Sequence, residues 1–281
     1  MTGLVGWWPL NEDSGSTAYD LSGNENHGSL KGGIVQAVAG KGGLTSYSFD
    51  GSNDYVQMDQ EEYLIADGSQ NSFTISAWVK WDGSYDDGQA GIFASATEQV
   101  TDGTPPGNPP YSLFIRGADE ELAVHFQDNN NNFVGASGGN IPVNQWALLT
   151  GVYDAQSNQL KCFINGDRVG VTSTSNNIYN ISNPPKPQLG AWKRPNDWFG
   201  GQLTDIRLYN RALAPKEIKE LYEWGNGDYA RPLNDQNSSS AVSRWPLDGN
   251  ADDVWETSSG SVSGPSVVDG IRGEAYDFND S

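Results

Sequence analysis

Phe73-Thr74-Ile75-Ser76-Ala77-Trp78-Val79-Lys80-Trp81 decides the fold. Apolar side chains stand at 73, 75, 77, 79 and 81, the period of two of a strand with one buried face. Outward from it, Tyr111 to Ile115 and Leu122 to Phe126 alternate in the same way, while Trp146 to Tyr153 is apolar at both parities, as a central strand would be. Leu160-Lys161-Cys162-Phe163-Ile164 runs into Asn165-Gly166 and out through Arg168-Val169-Gly170-Val171. Asn-Gly between two such runs signals a type I′ hairpin. Leu203 to Tyr209 gives a further strand. One helix is expected, at Pro215 to Tyr222. It has Pro at a favoured first-turn position, Ile218, Leu221 and Tyr222 on one face, and Gly225 and Gly227 beyond its end. Long polar segments at 82–89, 101–110, 128–132 and 176–187 join these pieces, and connections of that length in a compact domain are usually functional or disordered.

The composition narrows the function. The chain has 281 residues, with 36 Asp+Glu against 16 Lys+Arg and a formal net charge of −20. A surface this negative lacks the basic footprint that a nucleic-acid backbone requires, so no nucleic-acid partner is expected. No run approaches the roughly 18–20 apolar residues of a membrane span, so no membrane insertion is expected. A single cysteine, Cys162, rules out an internal disulfide framework and reads as a small buried hydrophobe between Leu160 and Ile164. Self-repulsion at −20 is costly in dilute buffer and is screened in molar salt, where the Debye length is about 3 Å. The expectation is a halophilic protein; the alternative is an ordinary acidic extracellular one. Met1 to Leu10 has neither a basic segment nor a long apolar run, so no signal peptide is expected in this chain.

A repeat follows a polar linker around Asn234 to Ser240. Arg244-Trp245-Pro246-Leu247 echoes Trp7-Trp8-Pro9-Leu10, and Gly273-Glu274-Ala275-Tyr276-Asp277-Phe278-Asn279-Asp280 echoes residues 43–50. The expected organisation is one complete domain over 1–224, a linker over 225–243, and the first strands of a second, incomplete copy over 244–281.

Several pieces in fixed order carry a family resemblance. They are Gly6-Trp7-Trp8-Pro9-Leu10, Asp20-Leu21-Ser22-Gly23-Asn24-Glu25-Asn26-His27-Gly28, Tyr47-Ser48-Phe49-Asp50-Gly51-Ser52-Asn53-Asp54-Tyr55-Val56, Phe73 to Val79, Phe163-Ile164-Asn165-Gly166, and Gly201 to Leu213. Together they resemble the laminin-G-like, concanavalin A-like jelly-roll domains, in particular their pentraxin-related microbial branch. The resemblance implies an all-β, antiparallel two-sheet jelly-roll sandwich with one short helix after the last strand.

Catalytic chemistry finds little support. Related glucanases carry two or three carboxylates at alternating positions of one strand. Leu122 to Phe126, Phe73 to Trp81 and Trp146 to Val152 carry none, and Asp119-Glu120-Glu121 are consecutive. His27 and His125 lack a Gly-x-Ser-x-Gly partner, and His125 reads as a packed or hydrogen-bonded strand residue. Oxygen donors in Gly-rich turns suit calcium better: Asp20, Asn24 and Asn26, and Asp50 with its following turn. The family implies a structural calcium ion tying the early strands to the strand of Asp205, so Asp20, Asn24, Asp50 and Asp205 are the candidate ligands. The alternative is that Asp20 and Asp50 only close Asx-turns.

For ligand contact, Ala191-Trp192-Lys193-Arg194-Pro195-Asn196-Asp197-Trp198 mixes two indoles with hydrogen-bonding groups, chemistry that matches the apolar face and hydroxyl rim of a sugar. The candidates are Trp192, Arg194, Asn196, Trp198 and Tyr85, with Tyr111 beside them; Trp198 packing beneath the last strand is the alternative. Taken together, the sequence predicts a non-catalytic recognition or adhesion module. It would bind surface glycans or glycoproteins through rim loops, in an extracellular or virion-surface setting at high salt. The alternative is a structural decoration or spike protein of a virus particle that contacts neighbouring subunits. A glycoside hydrolase stands third.

Overall fold

The computed structural model describes residues 2–41, 45–58, 72–85, 88–95, 110–128, 132–175, 186–192, 197–225, 266–270 and 273–277. The chain divides into one unit of residues 1–41 and 45–222 and a second that includes residues 223–281. The expected linker and the Trp245-Pro246-Leu247 echo lie outside the described residues. In the second unit, β17 (Ser266–Gly270) and β18 (Gly273–Asp277) pair as an antiparallel hairpin with Val267 opposite Tyr276.

The first unit is a two-sheet antiparallel sandwich. Sheet I is centred on β7 (Phe73–Trp81), with β12 (Trp146–Asp154) on one side and β16 (Gly200–Tyr209) on the other. β13 (Gln159–Ile164) and β14 (Asp167–Ser173) extend it beyond β12. Beyond β16 lie β5 (Thr45–Asp50) with β4 (Val35–Ala39), and also β1 (Leu4–Trp8). Sheet II runs in the order β11 (Phe133–Asn140), β10 (Glu121–Gln127), β9 (Tyr111–Arg116), β8 (Gln89–Ala94), β15 (Gln188–Leu189), β6 (Tyr55–Met58), β3 (Gly28–Lys31) and β2 (Thr17–Ala18).

The core between the sheets takes one parity of each strand. Phe73, Ile75, Ala77, Val79 and Trp81 of β7 meet Leu113 and Ile115 of β9 and Leu122, Val124 and Phe126 of β10 in one buried cluster. Tyr111 belongs there too, stacked on Phe93 at 6.0 Å, so it is not available to a ligand. Cys162 is buried in the same core, where desolvation pushes its thiol up to about 12.

The other parity of β7 corrects the expectation of a strand with one buried face. Thr74, Ser76 and Trp78 are buried as well, because α1 (Pro215–Gly225) covers the outer face of sheet I. Ile218 and Leu221 pack with Trp78, Leu148, Val152 and Phe163, and Tyr222 stacks on Trp78 at 5.8 Å. The helix start is fixed by Glu217, whose carboxylate accepts the Ala214 N–H at 2.8 Å and a two-pronged Arg211 guanidinium at 2.6 and 2.8 Å. This is capping-box chemistry just ahead of the first-turn proline. The β13–β14 turn docks against the helix through Lys219 Nζ, which donates to the Asn165 carbonyl at 3.3 Å. Asn165 and Gly166 both have positive φ, at 55° and 85°, as a type I′ turn requires. The helix thus covers the outer face of sheet I around β7 and β12. Among the described residues no helix is long and apolar enough to cross a membrane.

Candidate functional site

Alternation directs the second parity of sheet II outward. Register places Arg116 opposite Glu121, Phe114 opposite Ala123, and Ser112 opposite His125. On the next strand Gly135 faces His125, and on the far side Gly91 faces Phe114. Over these rows lie Ala191 and Trp192. Ala191 bridges Trp198, and the Trp192 N–H donates to the Asp197 carbonyl at 3.1 Å. Gly91 is required here, since a Cβ would run into the backbone of Ala191 and Trp192. Gly135 is required for a similar reason, as a Cβ there would strike the His125 ring.

The result is an aromatic patch. Trp192 stacks on Phe114 at 5.0 Å and donates its indole N–H to Ser112 Oγ at 2.9 Å. His125 meets Phe114 edge-on at 4.5 Å and Phe133 at 4.9 Å. Phe133 is the exposed ring of the group, at 40%. Burial, with the charge of Arg116 added, pushes the His125 imidazole down to about 3, so it is neutral at ordinary pH. Two buried polar atoms on this face have no hydrogen-bond partner, His125 Nδ1 and Gln89 Oε1.

The sequence-selected ligand residues are redistributed. Trp192 is only 6% exposed and Trp198, against Tyr55 at 5.6 Å, only 8%. Neither offers an open indole face; they anchor the 191–198 segment instead. Arg194 and Asn196 lie outside the described residues. Tyr85 is 45% exposed but sits at the end of the sandwich, against Gly117 and 6.4 Å from the Trp81 ring. Phe114, Phe133 and Gln89 do not stand out in the sequence, and His125 reads there as a packed or hydrogen-bonded strand residue. The available signal was the outward parity: Ser112 and Phe114 alternate with core Leu113 and Ile115, and His125 alternates with Val124 and Phe126.

The candidate calcium ligands do not form one site. Asp20 Oδ1 accepts the N–H of Trp7 and of Ser22, both at 2.8 Å, and Oδ2 accepts Ser22 Oγ–H and the Asn26 N–H. Asn24 turns its amide nitrogen to Leu4 and Val5 carbonyls and to Ser22 Oγ. Asp50 accepts the N–H groups of Ser52 and Asn53, an Asx-turn. Asp205 accepts the Trp7 indole N–H at 2.7 Å and Arg207 Nε–H at 2.8 Å. Burial pushes its carboxyl up and Arg207 opposes this. Asp50 pairs with Gly200 on β16, so Asp205 lies five residues further on, about 17 Å at about 3.3 Å per residue. Trp7 therefore bridges Asp20 to Asp205 by hydrogen bonds, in the place where a cation was expected. Both Asp20 oxygens face N–H and O–H donors, a set that does not fit calcium. Among the described residues no three His, Cys, Asp or Glu side chains converge as a metal site.

A carboxylate pair is also missing from the patch. Among the described outward positions of β8 to β11 the one acid is Glu121, and it is held by Ser137 Oγ–H at 3.0 Å and Arg116 at 3.6 Å.

Two stacked antiparallel sheets, with a helix packed on the outer face of one and a small ring cluster on the outer face of the other, define a concanavalin A-like jelly-roll sandwich. The chain belongs to the concanavalin A-like lectin/glucanases superfamily, through the Laminin_G_3 family, which matches residues 50–219. None of the curated proteins matches it in sequence. Solved structures share the fold. The binding domain of Paraclostridial Mosquitocidal Protein 1 matches at 20% identity and a TM-score of 0.58, over 79% of this chain and 52% of that one. The binding domain of botulinum neurotoxin DC matches in complex with SialylT, at 14% identity and TM-score 0.57, over 80% and 52%. It also matches in complex with rat synaptotagmin II, at 16% and 0.59, over 79% and 52%. The chain thus spans about half the length of these structures.

Proposed function

We propose that the chain is a non-catalytic recognition module that binds glycans or glycoproteins across the outer face of sheet II. The observation that carries this is the patch itself. An exposed Phe133 over the rings of His125, Phe114 and Trp192, with the His125 Nδ1 unpartnered among them, sets a stacking ring beside a polar group. Sugar recognition uses that combination. Glycoside hydrolysis calls for two carboxyl groups across a bond, and among the described outward positions of β8 to β11 the one acid is Glu121, already engaged. The matched neurotoxin binding domains, seen with SialylT and with synaptotagmin II, support a binding role by analogy of fold. A setting in concentrated salt is supported by the net charge of −20. The test is binding of the whole chain to a panel of immobilised glycans and glycoproteins in 2–3 M NaCl. Saturable binding to a subset is expected; binding to none of them overturns the reading.

A further inference from the structure

We propose a second binding site, on the outer face of sheet I, that takes a monosaccharide ring; it stands apart from the sheet II patch. Two neighbouring rows of outward residues build it. Leu148, Trp78 and Thr204 lie opposite one another across β12, β7 and β16, and all three are buried. The next row sets Trp146, Lys80 and Gln202 opposite one another in the same way, with Ser48 of β5 opposite Gln202. Their strand neighbours Ala147, Val79 and Leu203 point into the core between the sheets, so this row points outward. All four of its residues are only half-buried. It is the open margin of a face that the helix covers around β7 and β12.

Two buried polar atoms at this margin have no hydrogen-bond partner, the Trp78 indole Nε1 and Gln202 Oε1. Folded proteins rarely leave such groups unpaired. They belong to diagonal neighbours, since Trp78 pairs with Thr204 and Gln202 stands two residues before it. Aromatic and long side chains reach across that spacing. The indole N–H can only donate and the amide oxygen can only accept. A hydroxyl satisfies both at once, accepting from Trp78 and donating to Gln202. A ligand carboxylate lacks the donor and a ligand ammonium lacks the acceptor. Lys80, opposite Gln202 and two residues beyond Trp78, brings an ammonium donor to the same row. Trp146 at the end of the row brings an indole, which suits the apolar face of a sugar ring. The cover over Trp78 is adjustable. Tyr222 stacks on it at 5.8 Å, but Lys41, whose Nζ lies 5.0 Å from the ring centroid, is a flexible unbranched chain. Its rotation opens the way to the indole edge.

The test follows the Trp78 indole N–H signal, assigned by triple-resonance NMR, while the whole chain is titrated with glucose, galactose and mannose to about 100 mM. Saturable movement of that signal with at least one of the three sugars is expected. Gln202→Leu removes the acceptor at a half-buried position; Gln202→Met serves should leucine disturb the strand. Either is expected to weaken the response about tenfold or more. Phe133→Ala, which removes the exposed ring of sheet II, is expected to leave it unchanged. No movement with any of the three sugars, or a response that survives loss of the Gln202 oxygen, overturns the inference and leaves the sheet II reading standing. A response that disappears in Phe133→Ala also overturns it, and assigns the sugar to sheet II.

Discussion

At the scale of single residues, Asp20 and His125 show how one side chain is placed by many. Asp20 is 5% exposed and gathers Trp7, Ser22 and Asn26 onto its two oxygens, fastening the 20–26 loop to β1. Replacing it with alanine strands these donors, at about 2–4 kcal/mol, which denaturant melts would read. Because its oxygens are filled by N–H and O–H donors, a chelator is expected to leave the melting midpoint within about 1 °C, whereas loss of a bound ion would lower it by several degrees. The importance of Asp20 was legible in its Gly-rich turn. Its partners were not, since Ser22 and Asn26 hydrogens satisfy an aspartate as well as a cation would, and spacing alone does not tell these apart. His125 was illegible for another reason: its three ring neighbours come from β9, β11 and the 191–198 excursion, remote in sequence and joined only by sheet register.

At the scale of elements, the strands that could be read are those with long apolar alternation. β7, β9, β10, β12 and the β13–β14 hairpin stand where periodicity and Asn165-Gly166 place them. The short strands β2, β3 and β15 give no periodic signal, because two to four residues do not complete a pattern. The helix was legible from its first-turn proline and apolar stripe, but its effect on β7 was not: covering Trp78 turns β7 into a strand buried on both faces. Ile218, fully buried against that face, tests this coupling. Ile218→Ala is expected to cost about 2–4 kcal/mol, a lower denaturation midpoint with one cooperative transition. A change below about 0.5 kcal/mol would show that the helix is not part of the folded sandwich.

At the scale of the whole molecule, charge and architecture divide the work. The net charge of −20 is predicted to make stability rise from dilute buffer to molar NaCl; a flat or falling melting curve would contradict that. The architecture packs a helix on one outer face and sets rings, amides and a neutral imidazole on the other. That is why we propose recognition across the outward side of sheet II rather than in the rim loops. Phe133 and Tyr85 mark the two places. Both rings are exposed, at 40% and 45%, one on the sheet face and one at the end of the sandwich, so each can be truncated without opening the core. The direct measurement is the affinity of Phe133→Ala and Tyr85→Ala chains, side by side in 3 M NaCl, for whichever glycan the unaltered chain binds. Recognition across sheet II predicts about a tenfold loss for Phe133→Ala and unchanged binding for Tyr85→Ala. Loss at Tyr85 with full binding at Phe133 would contradict it and return the site to the rim.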